Sequence, residues 1–281
     1  MRPGASSPVE PEGLGDELVL VLGDLGVEED GALRDPAAGG ELGMLFGREG
    51  DLVLANGRQA PTVRARAGLR QRWRIVNAAK SRYFWLDLPG HTFTRIGGDG
   101  GLLEAPIEES RLLLTPGQRV DVVVTLDGAP GSAIPLRWIP YDRGYGTSEF
   151  REPRDVLTVA FEDAPRADAP PMPTWERVID VPAVDGATLA VLALGERQVW
   201  TIRNEMDWNH PFHLHGFFFH EVDEDGAVVL PRELRDTIDV PQHETRRFVV
   251  KYDHRPGMWM FHCHILDHAD AGMMGMLHLM P

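Results

Sequence analysis

The residues with the clearest chemical potential are histidines concentrated towards the end of the chain. The stretch NHPFHLHG, residues 209–216, places three of them within six positions: His210, His213 and His215. The stretch GMWMFHCHILDHADAGMMG, residues 257–275, adds three more histidines and the lone cysteine: His262, Cys263, His264 and His268. Imidazole is the commonest metal ligand near neutral pH, and a thiolate adds a soft sulfur ligand. The two stretches therefore predict a metal-binding protein.

Both stretches continue apolar runs, which predicts that they lie on β-strands. Successive side chains on a strand point to opposite faces. On the first strand, this alternation places His210 on one face and His213 and His215 on the opposite face. On the second strand, it places Cys263 on one face and His262 and His264 on the opposite face. The sequence therefore predicts two separate sites rather than one.

The set that contains His210 and Cys263 needs further ligands. His268 and Met273 follow Cys263 in a turn-rich segment that can fold back towards it. Two imidazoles, a thiolate and a thioether are the ligands of a blue-copper electron-transfer centre. Zinc also accepts Cys and His, but Met is an unusual zinc ligand. A buried free cysteine with unrelated surface histidines is the alternative, and the density of ligands in two short motifs favours copper.

The elements that must position these residues are short strands. Apolar runs rich in Val, Leu, Ile and Phe recur along the chain between Gly and Pro turns, which predicts an all-β protein. Four prolines mark a linker at 163–175, because proline removes backbone donors and favours extended chain. We expect a disordered lead-in over 1–15, one β-sandwich over 16–162 and a second over 176–281.

Composition excludes several classes of function. The net charge of −15 argues against binding to nucleic acid or to anionic membrane surfaces. No apolar run approaches the length of about 18 residues that a transmembrane helix needs. The first residues lack the apolar core of a signal peptide, and one cysteine cannot form an intrachain disulfide. We therefore expect no membrane span, and the sequence by itself leaves the compartment unknown.

The two motifs HPFHLHG and HCHILDHADAGM resemble the final domain of the multicopper oxidases, in particular the laccase-like group. Residues 51–126, with LANG, WRIVNAAKSRYFWLDL, GGDGGLLEAPI and TPGQRVDVVV, resemble the middle domain of a three-domain member. The resemblance implies two cupredoxin-like Greek-key β-sandwich or barrel domains in tandem, of which the first holds no copper. Many relatives are exported, so it also suggests a periplasmic or extracellular location.

The resemblance also implies a role for each ligand. Type 1 copper would take single electrons from a phenol or a metal ion and is held by four residues: His210, Cys263, His268 and Met273. The His262–Cys263–His264 strand would pass the electrons to a cluster that reduces O2. His213 would bind its type 2 copper, and three histidines its type 3 coppers: His215, His262 and His264.

The chain departs from the family pattern in two ways. The family cluster uses eight histidines, four of them from an N-terminal domain, but His91 is the only histidine here before His210. The missing four would come from a partner chain or from a second copy across a two-fold axis. Otherwise the protein transfers electrons at type 1 copper without oxidase turnover. Ala269 stands where many bacterial relatives carry a proton-donating glutamate, which leaves Asp270 or Asp267 for that role.

Two further groups of residues allow alternative interpretations. Ligating histidines usually donate their second N–H to a carboxylate or carbonyl, and Asp236 and Asp239 in RDTIDVP are candidates. Turn and strand-end chemistry explains them equally well. Three methionines crowd the end of the chain, where core packing is favoured over Cu(I) binding: Met274, Met276 and Met280.

Overall fold

The computed structural model describes residues 10–35, 37–144, 151–175, 177, 195, 197–253 and 255–280. These residues form β-strands and two short helices, so the prediction of an all-β protein is confirmed. In the described part of the chain, no helix is both long and apolar enough to span a membrane.

The first domain contains eleven strands and one helix among its described residues. They are β1 Asp16–Leu25, α1 Gly40–Phe46, β2 Leu52–Ala55, β3 Thr62–Ala65, β4 Arg70–Asn77, β5 Phe84–Asp87, β6 Phe93–Gly98, β7 Gly101–Glu109, β8 Arg111–Leu114, β9 Arg119–Thr125, β10 Ala133–Ile139 and β11 Arg154–Phe161. One sheet has the order β2-β1-β4-β9-β6-β7 and the other β3-β11-β10-β5-β8. Alternate apolar side chains of both sheets meet in one core around Trp73, Phe84 and Phe93.

The second domain contains seven strands and one helix among its described residues. They are β12 Arg197–Arg203, β13 His210–Leu214, β14 Phe219–Val222, β15 Thr237–Val240, β16 Thr245–Lys251, β17 Gly257–Cys263, α2 Leu266–Asp270 and β18 Met274–Leu279. A sheet of order β12-β16-β14 packs on one of order β15-β13-β17-β18. Their shared core contains Phe212, Phe219 and Phe248. Both ligand motifs therefore lie on neighbouring strands of one sheet.

The register between β13 and β17 decides which ligands meet. His213 lies opposite His262, and Phe212 lies opposite Cys263. Directly opposite residues of antiparallel strands share a face of the sheet. His213 and His262 therefore project from the outer face, whereas Phe212 and Cys263 project towards the core.

Residues 10–15 of the expected lead-in pack against the first domain. Residues 1–9 lie outside the described residues, but Leu14 is buried beside Ile96. Glu10 binds the guanidinium groups of Arg72 and Arg74, at 3.0 and 2.8 Å. An apolar side chain and two ion pairs hold residues 10–15 against the first domain, so this part is not a free tail.

The predicted linker, 163–175, contains no helix or strand and packs on the first domain. Trp175 donates its indole N–H to the carbonyl oxygen of Leu103 at 2.9 Å.

The expected core packing of the terminal methionines is wrong. Met274, Met276 and Met280 are about half exposed, because alternation on β18 turns them to the outer face while Leu277 and Leu279 fill the core.

Polar contacts join the two domains at several points. Arg48 and Lys80 of the first domain both bind the buried carboxylate of Asp267. The hydroxyl of Tyr83 donates to Asp239 at 2.7 Å. Arg119 binds both oxygens of Asp236, each at 2.7 Å. These contacts place the first domain against the sheet that carries the histidine motifs.

Candidate metal centres

The structure brings His210, Cys263 and His268 together in what we call the cysteine site. His210 begins β13, Cys263 ends β17, and His268 lies in the short helix α2 that follows. The Nδ1 atom of His210 is 3.5 Å from Cys263 Sγ and 3.2 Å from His268 Nδ1, and His268 Nδ1 is 3.4 Å from Cys263 Sγ. The three donor atoms thus form a nearly equilateral triangle.

The size of this triangle suits a metal ion. The point equidistant from the three atoms lies about 1.9 Å from each, close to the bond lengths of about 2.0 to 2.3 Å at which nitrogen and sulfur bind first-row ions. Two imidazoles and one thiolate in a trigonal arrangement are the donors of a blue-copper site. The residues present therefore fit a type 1 copper ion.

The hydrogen bond of His268 leaves its Nδ1 atom free to bind a metal. Its Nε2 lies 2.9 Å from the carbonyl oxygen of Leu45 in α1, and a carbonyl can only accept. The ring proton is therefore on Nε2, and the lone pair of Nδ1 points towards Cys263 and His210. A hydrogen bond of this kind fixes the tautomer of a metal-ligating histidine.

Burial sets the charge of the cysteine site. It lowers the pKa of His210 to about 4, with further lowering by His268 and Arg143. Burial likewise lowers the pKa of His268 below its ordinary value. It raises the pKa of the Cys263 thiol to about 12. Both imidazoles are therefore neutral and able to bind metal at pH 7, whereas the thiol must lose a proton to a metal.

Met273, the expected fourth ligand, borders this site through its backbone. Its carbonyl accepts from the Cys263 N–H at 3.0 Å, and its N–H donates to the His268 carbonyl at 2.8 Å. Its side chain is 42% exposed. The axial role of its sulfur stays a prediction.

Four histidines on the outer face of the sheet form a second group, which we call the histidine cluster: His213, His215, His262 and His264. The ligand atoms of the first three lie within 4.8 Å of one another. The Nε2 atoms of His215 and His262 are 3.0 Å apart. His262 donates its Nδ1–H to the carbonyl of Cys263, which leaves its Nε2 lone pair free for a metal.

His264 borders the other histidines and a turn of the first domain. Its ring centroid is 5.3 Å from that of His213 and 5.5 Å from that of His262. Its Nδ1 is buried without a hydrogen-bond partner among the described residues, and burial lowers its pKa to about 4. A Cβ on Gly117 would lie 2.4 Å from Cδ2 of His264, so the turn follows the ring closely.

The two candidate carboxylates differ in their contacts. Asp236 Oδ1 lies 3.5 Å from His213 Nδ1. Burial opposes its ionisation, but hydrogen bonds from His213 and Arg119 hold its pKa below the ordinary value. Asp239 accepts instead from Tyr83 and Asn209, each at 2.7 Å. Asp236 therefore supports a cluster histidine, while Asp239 joins the domains.

The two candidate proton donors also differ. Asp267 is buried in ion pairs with Arg48 and Lys80, so it serves the contact between the domains. Asp270 is exposed at the end of α2, and its role in proton supply stays a prediction. His91 lies apart from both groups and binds Pro89 and Asp127.

Comparison with known proteins decides the family. A family model described as multicopper oxidase matches residues 154–280, and a second with the same description matches residues 16–132. The chain belongs to the multicopper oxidase family. Copper is the metal of this family, so the donor set of the cysteine site and the family agree.

The relatives support the same conclusion. The chain is 30% identical to multicopper oxidase MmcO of Mycobacterium tuberculosis, over 95% of this chain and 63% of that protein. A solved multi-copper oxidase from Pseudomonas thermotolerans matches with a TM-score of 0.80 and 27% identity, over 96% of this chain and 69% of that one. A laccase structure from Pediococcus acidilactici matches at 0.78 and 28%, over 95% and 61%. The predicted cupredoxin-like fold is confirmed.

The chain spans about half to two thirds of the length of the curated relatives it matches. The sequence motifs led to the ligands, but they carried no signal for Leu45, Arg119 or Thr237. Leu45 contacts His268 across 223 residues, Thr237 contacts its strand partner His213, and Arg119 contacts Asp236 rather than a ligand.

Proposed function

We propose that this chain is the part of a multicopper oxidase that accepts single electrons from a small reductant and delivers them to a site of O2 reduction. The cysteine site, with Met273 as its fourth ligand, is the electron acceptor, and the histidine cluster is half of the site of O2 reduction. The triangle of two imidazole nitrogens and one thiol sulfur carries this proposal, because its sulfur belongs to Cys263, which lies between His262 and His264 in the chain.

Bound copper supplies one-electron redox chemistry at the cysteine site and reduction of O2 at the histidine cluster. The protein supplies the connection. Cys263 is bonded through the backbone to His262 on one side and His264 on the other, which makes a short covalent path between the two groups. Burial of the thiol keeps water away from the sulfur end of that path.

The class of reductant follows from charge and from access. A net charge of −15 favours a metal cation or a neutral phenol over an anion. The relatives' names include laccase, bilirubin oxidase and metallo-oxidase, which span both classes. Helix α1 covers Nε2 of His268, so a reductant transfers its electron across α1 or beside it rather than to an open ring edge.

The other half of the cluster comes from outside the four histidines described above. Its source is an N-terminal domain, which a partner chain can supply, or a second copy of this chain. An exposed outer face supports either source, because His215, Met274 and Met276 are open to contact there. A monomeric protein with a fully loaded cluster would exclude the second copy.

Membership of the family is also the basis on which we propose a periplasmic or extracellular location.

A second candidate function is electron transfer at the cysteine site without oxidase turnover. It is favoured by the contrast between the two groups. The cysteine site contains a full trigonal donor set within 3.5 Å, whereas the histidine cluster brings only three ligand atoms within 4.8 Å.

Visible absorption and EPR of the copper-loaded protein test the cysteine site. We expect the intense blue absorption of a thiolate bound to Cu(II), and its loss in Cys263→Ser. The control is His243→Ala, which alters an exposed histidine paired with Asp207 outside both groups and leaves the blue absorption unchanged. Absence of blue absorption in the oxidised, copper-loaded wild type would refute the proposal.

Copper stoichiometry and oxygen uptake separate the two candidate functions. More than one copper per chain together with oxygen uptake from a phenolic or cuprous donor supports the oxidase. One copper per chain supports electron transfer alone, provided that adding an N-terminal domain produces no oxygen uptake.

A further inference from the structure

We propose that the first domain positions the histidine cluster: Arg119 holds Asp236, and Asp236 with Thr237 keeps the ring proton of His213 on Nδ1. Nε2 is then the atom that His213 offers to a metal. Arg119 belongs to the first domain, which contributes none of the ligands named above. Its role rests on the proposed function of the cluster.

The contact between Arg119 and Asp236 is a two-pronged ion pair. Nη1 of Arg119 lies 2.7 Å from Oδ1, and Nη2 lies 2.7 Å from Oδ2. Such a planar fork fixes the orientation of a carboxylate as well as its charge. Arg119 begins β9 of the first domain, whereas Asp236 directly precedes β15 of the second. One domain therefore orients a carboxylate of the other.

The hydrogen bonds of Thr237 determine the tautomer of His213. The hydroxyl of Thr237 donates its only proton to Asp236 Oδ1 at 2.9 Å, because an ionised carboxylate can only accept. The same oxygen lies 2.9 Å from His213 Nδ1 and has no second proton to give. His213 must therefore donate from Nδ1, and its Nε2 keeps a lone pair. The oriented carboxylate of Asp236 thus fixes the tautomer of His213 through the hydroxyl of Thr237.

Asp99 secures the same junction from the first domain. Its Oδ1 accepts from the backbone N–H of Arg119 at 2.8 Å, and its Oδ2 accepts from the N–H of Thr237 at 3.3 Å. Asp99 thus ties the start of β9 to the start of β15. Two residues before Arg119, Gly117 lies against the ring of His264. The turn that precedes β9 therefore contacts one cluster histidine and supports another.

The direct test reads the His213 tautomer in metal-free protein that contains all 281 residues of this chain. Long-range ¹H–¹⁵N correlation spectra of protein labelled with ¹⁵N-histidine distinguish an Nδ1–H ring from an Nε2–H ring. We expect wild-type His213 to be in the Nδ1–H form alone. Arg119→Gln removes the fork and should give a mixture of the two forms. Arg119→Lys keeps the charge without the fork and should give an intermediate mixture.

A matched control is Arg137→Gln, which breaks an exposed ion pair with Asp155 in the same domain and should leave His213 unchanged. Cu(II) titration gives a second readout. Loss of an outer hydrogen-bond partner typically weakens metal binding by about 10–100-fold. We expect this loss at the histidine cluster in Arg119→Gln, with the blue absorption of the cysteine site unchanged.

A wild-type tautomer together with wild-type Cu(II) affinity in Arg119→Gln would overturn the inference. If Arg119→Gln loses both copper sites through misfolding, Arg119→Lys decides by the same two measurements. A wild-type protein that binds no copper at the histidine cluster would refute the proposed function instead. The tautomer measurement would still decide the role of Arg119, because it needs no metal.

Discussion

His268 donates its Nε2–H to the carbonyl oxygen of Leu45 at 2.9 Å, although 223 residues separate the two in sequence. The acceptor belongs to α1 of the first domain and the donor to α2 of the second. This bond points Nδ1 of His268 towards Cys263. The first domain thus contributes to the cysteine site, as it does to the histidine cluster through Arg119.

Replacing α1, residues 40–46, by a flexible Gly-Ser segment of equal length should weaken copper binding at the cysteine site. The ring of His268 would lose the hydrogen bond that fixes its tautomer, which typically costs about 10–100-fold in metal affinity. Competition with a copper chelator, followed by the blue absorption, measures the loss. The control is Leu42→Ser, which alters an exposed side chain of the same helix. Unchanged affinity after replacement would contradict the role of Leu45.

Copper loading of the cysteine site should release one proton per Cu(II) near pH 7. Burial lowers the pKa of His210 to about 4, so the ring is already neutral, while the thiol of Cys263, with its pKa raised to about 12, must ionise. Affinity should therefore rise about tenfold per pH unit between about pH 5 and 9. Calorimetry in buffers of different ionisation enthalpy measures the proton count. Release of two or more protons at pH 7 would show a charged imidazole.

Gly117→Ala should disturb the histidine cluster while the cysteine site is retained. The new methyl group would lie 2.4 Å from the ring of His264 and would displace it. The matched control is Gly131→Ala, since Gly131 also has a positive φ, of 72°, but has nothing within 4 Å of the added carbon. Both variants bear the backbone strain, and only Gly117→Ala should lose Cu(II) at the cluster. Equal Cu(II) binding in the two variants would contradict the close approach.

Asp267→Asn should destabilise the protein by about 2–3 kcal/mol. It removes a buried charge that binds two cations, and the cost is at the low end for a buried pair because Arg48 and Lys80 are partly in solvent. Urea unfolding of the metal-free protein measures the difference. Asp155→Asn, in an exposed pair with Arg137, should change stability by less than about 1 kcal/mol.

The same ion pairs predict how stability depends on pH. Hydrogen bonds from Arg48 and Lys80 outweigh burial and lower the pKa of Asp267. A carboxyl whose pKa is lower in the folded state stabilises the fold fully above its unfolded pKa of about 3.9. That contribution is lost as pH falls through the lower folded pKa. Below pH 4, wild type and Asp267→Asn should therefore converge in stability.

Sequence spacing was sufficient for the fold class and for the division of ligands into two groups. Strand alternation is a local property with a period of two residues, so His210 and Cys263 were separable from His213 and His262 without any tertiary information. The expectation that the terminal methionines fill a core was wrong; it rested on the usual packing role of methionine and not on alternation. Alternation alone does not say whether the outer face of β18 is covered, and Met274 and Met276 are exposed.

The amino-acid sequence by itself determined the ligand types, the strands that carry them and their sorting into a sulfur-containing site and a histidine-only site. Only the tertiary structure decided which distant residues support them: Leu45 behind His268, and Arg119 with Asp236 and Thr237 behind His213. The physical reason is that the contacts of Leu45 and Arg119 depend on how two domains pack, whereas the contact of Thr237 with His213 depends on which strands pair. Neither domain packing nor strand pairing leaves a periodic pattern in the chain, whereas a strand imposes its alternation on every neighbouring pair.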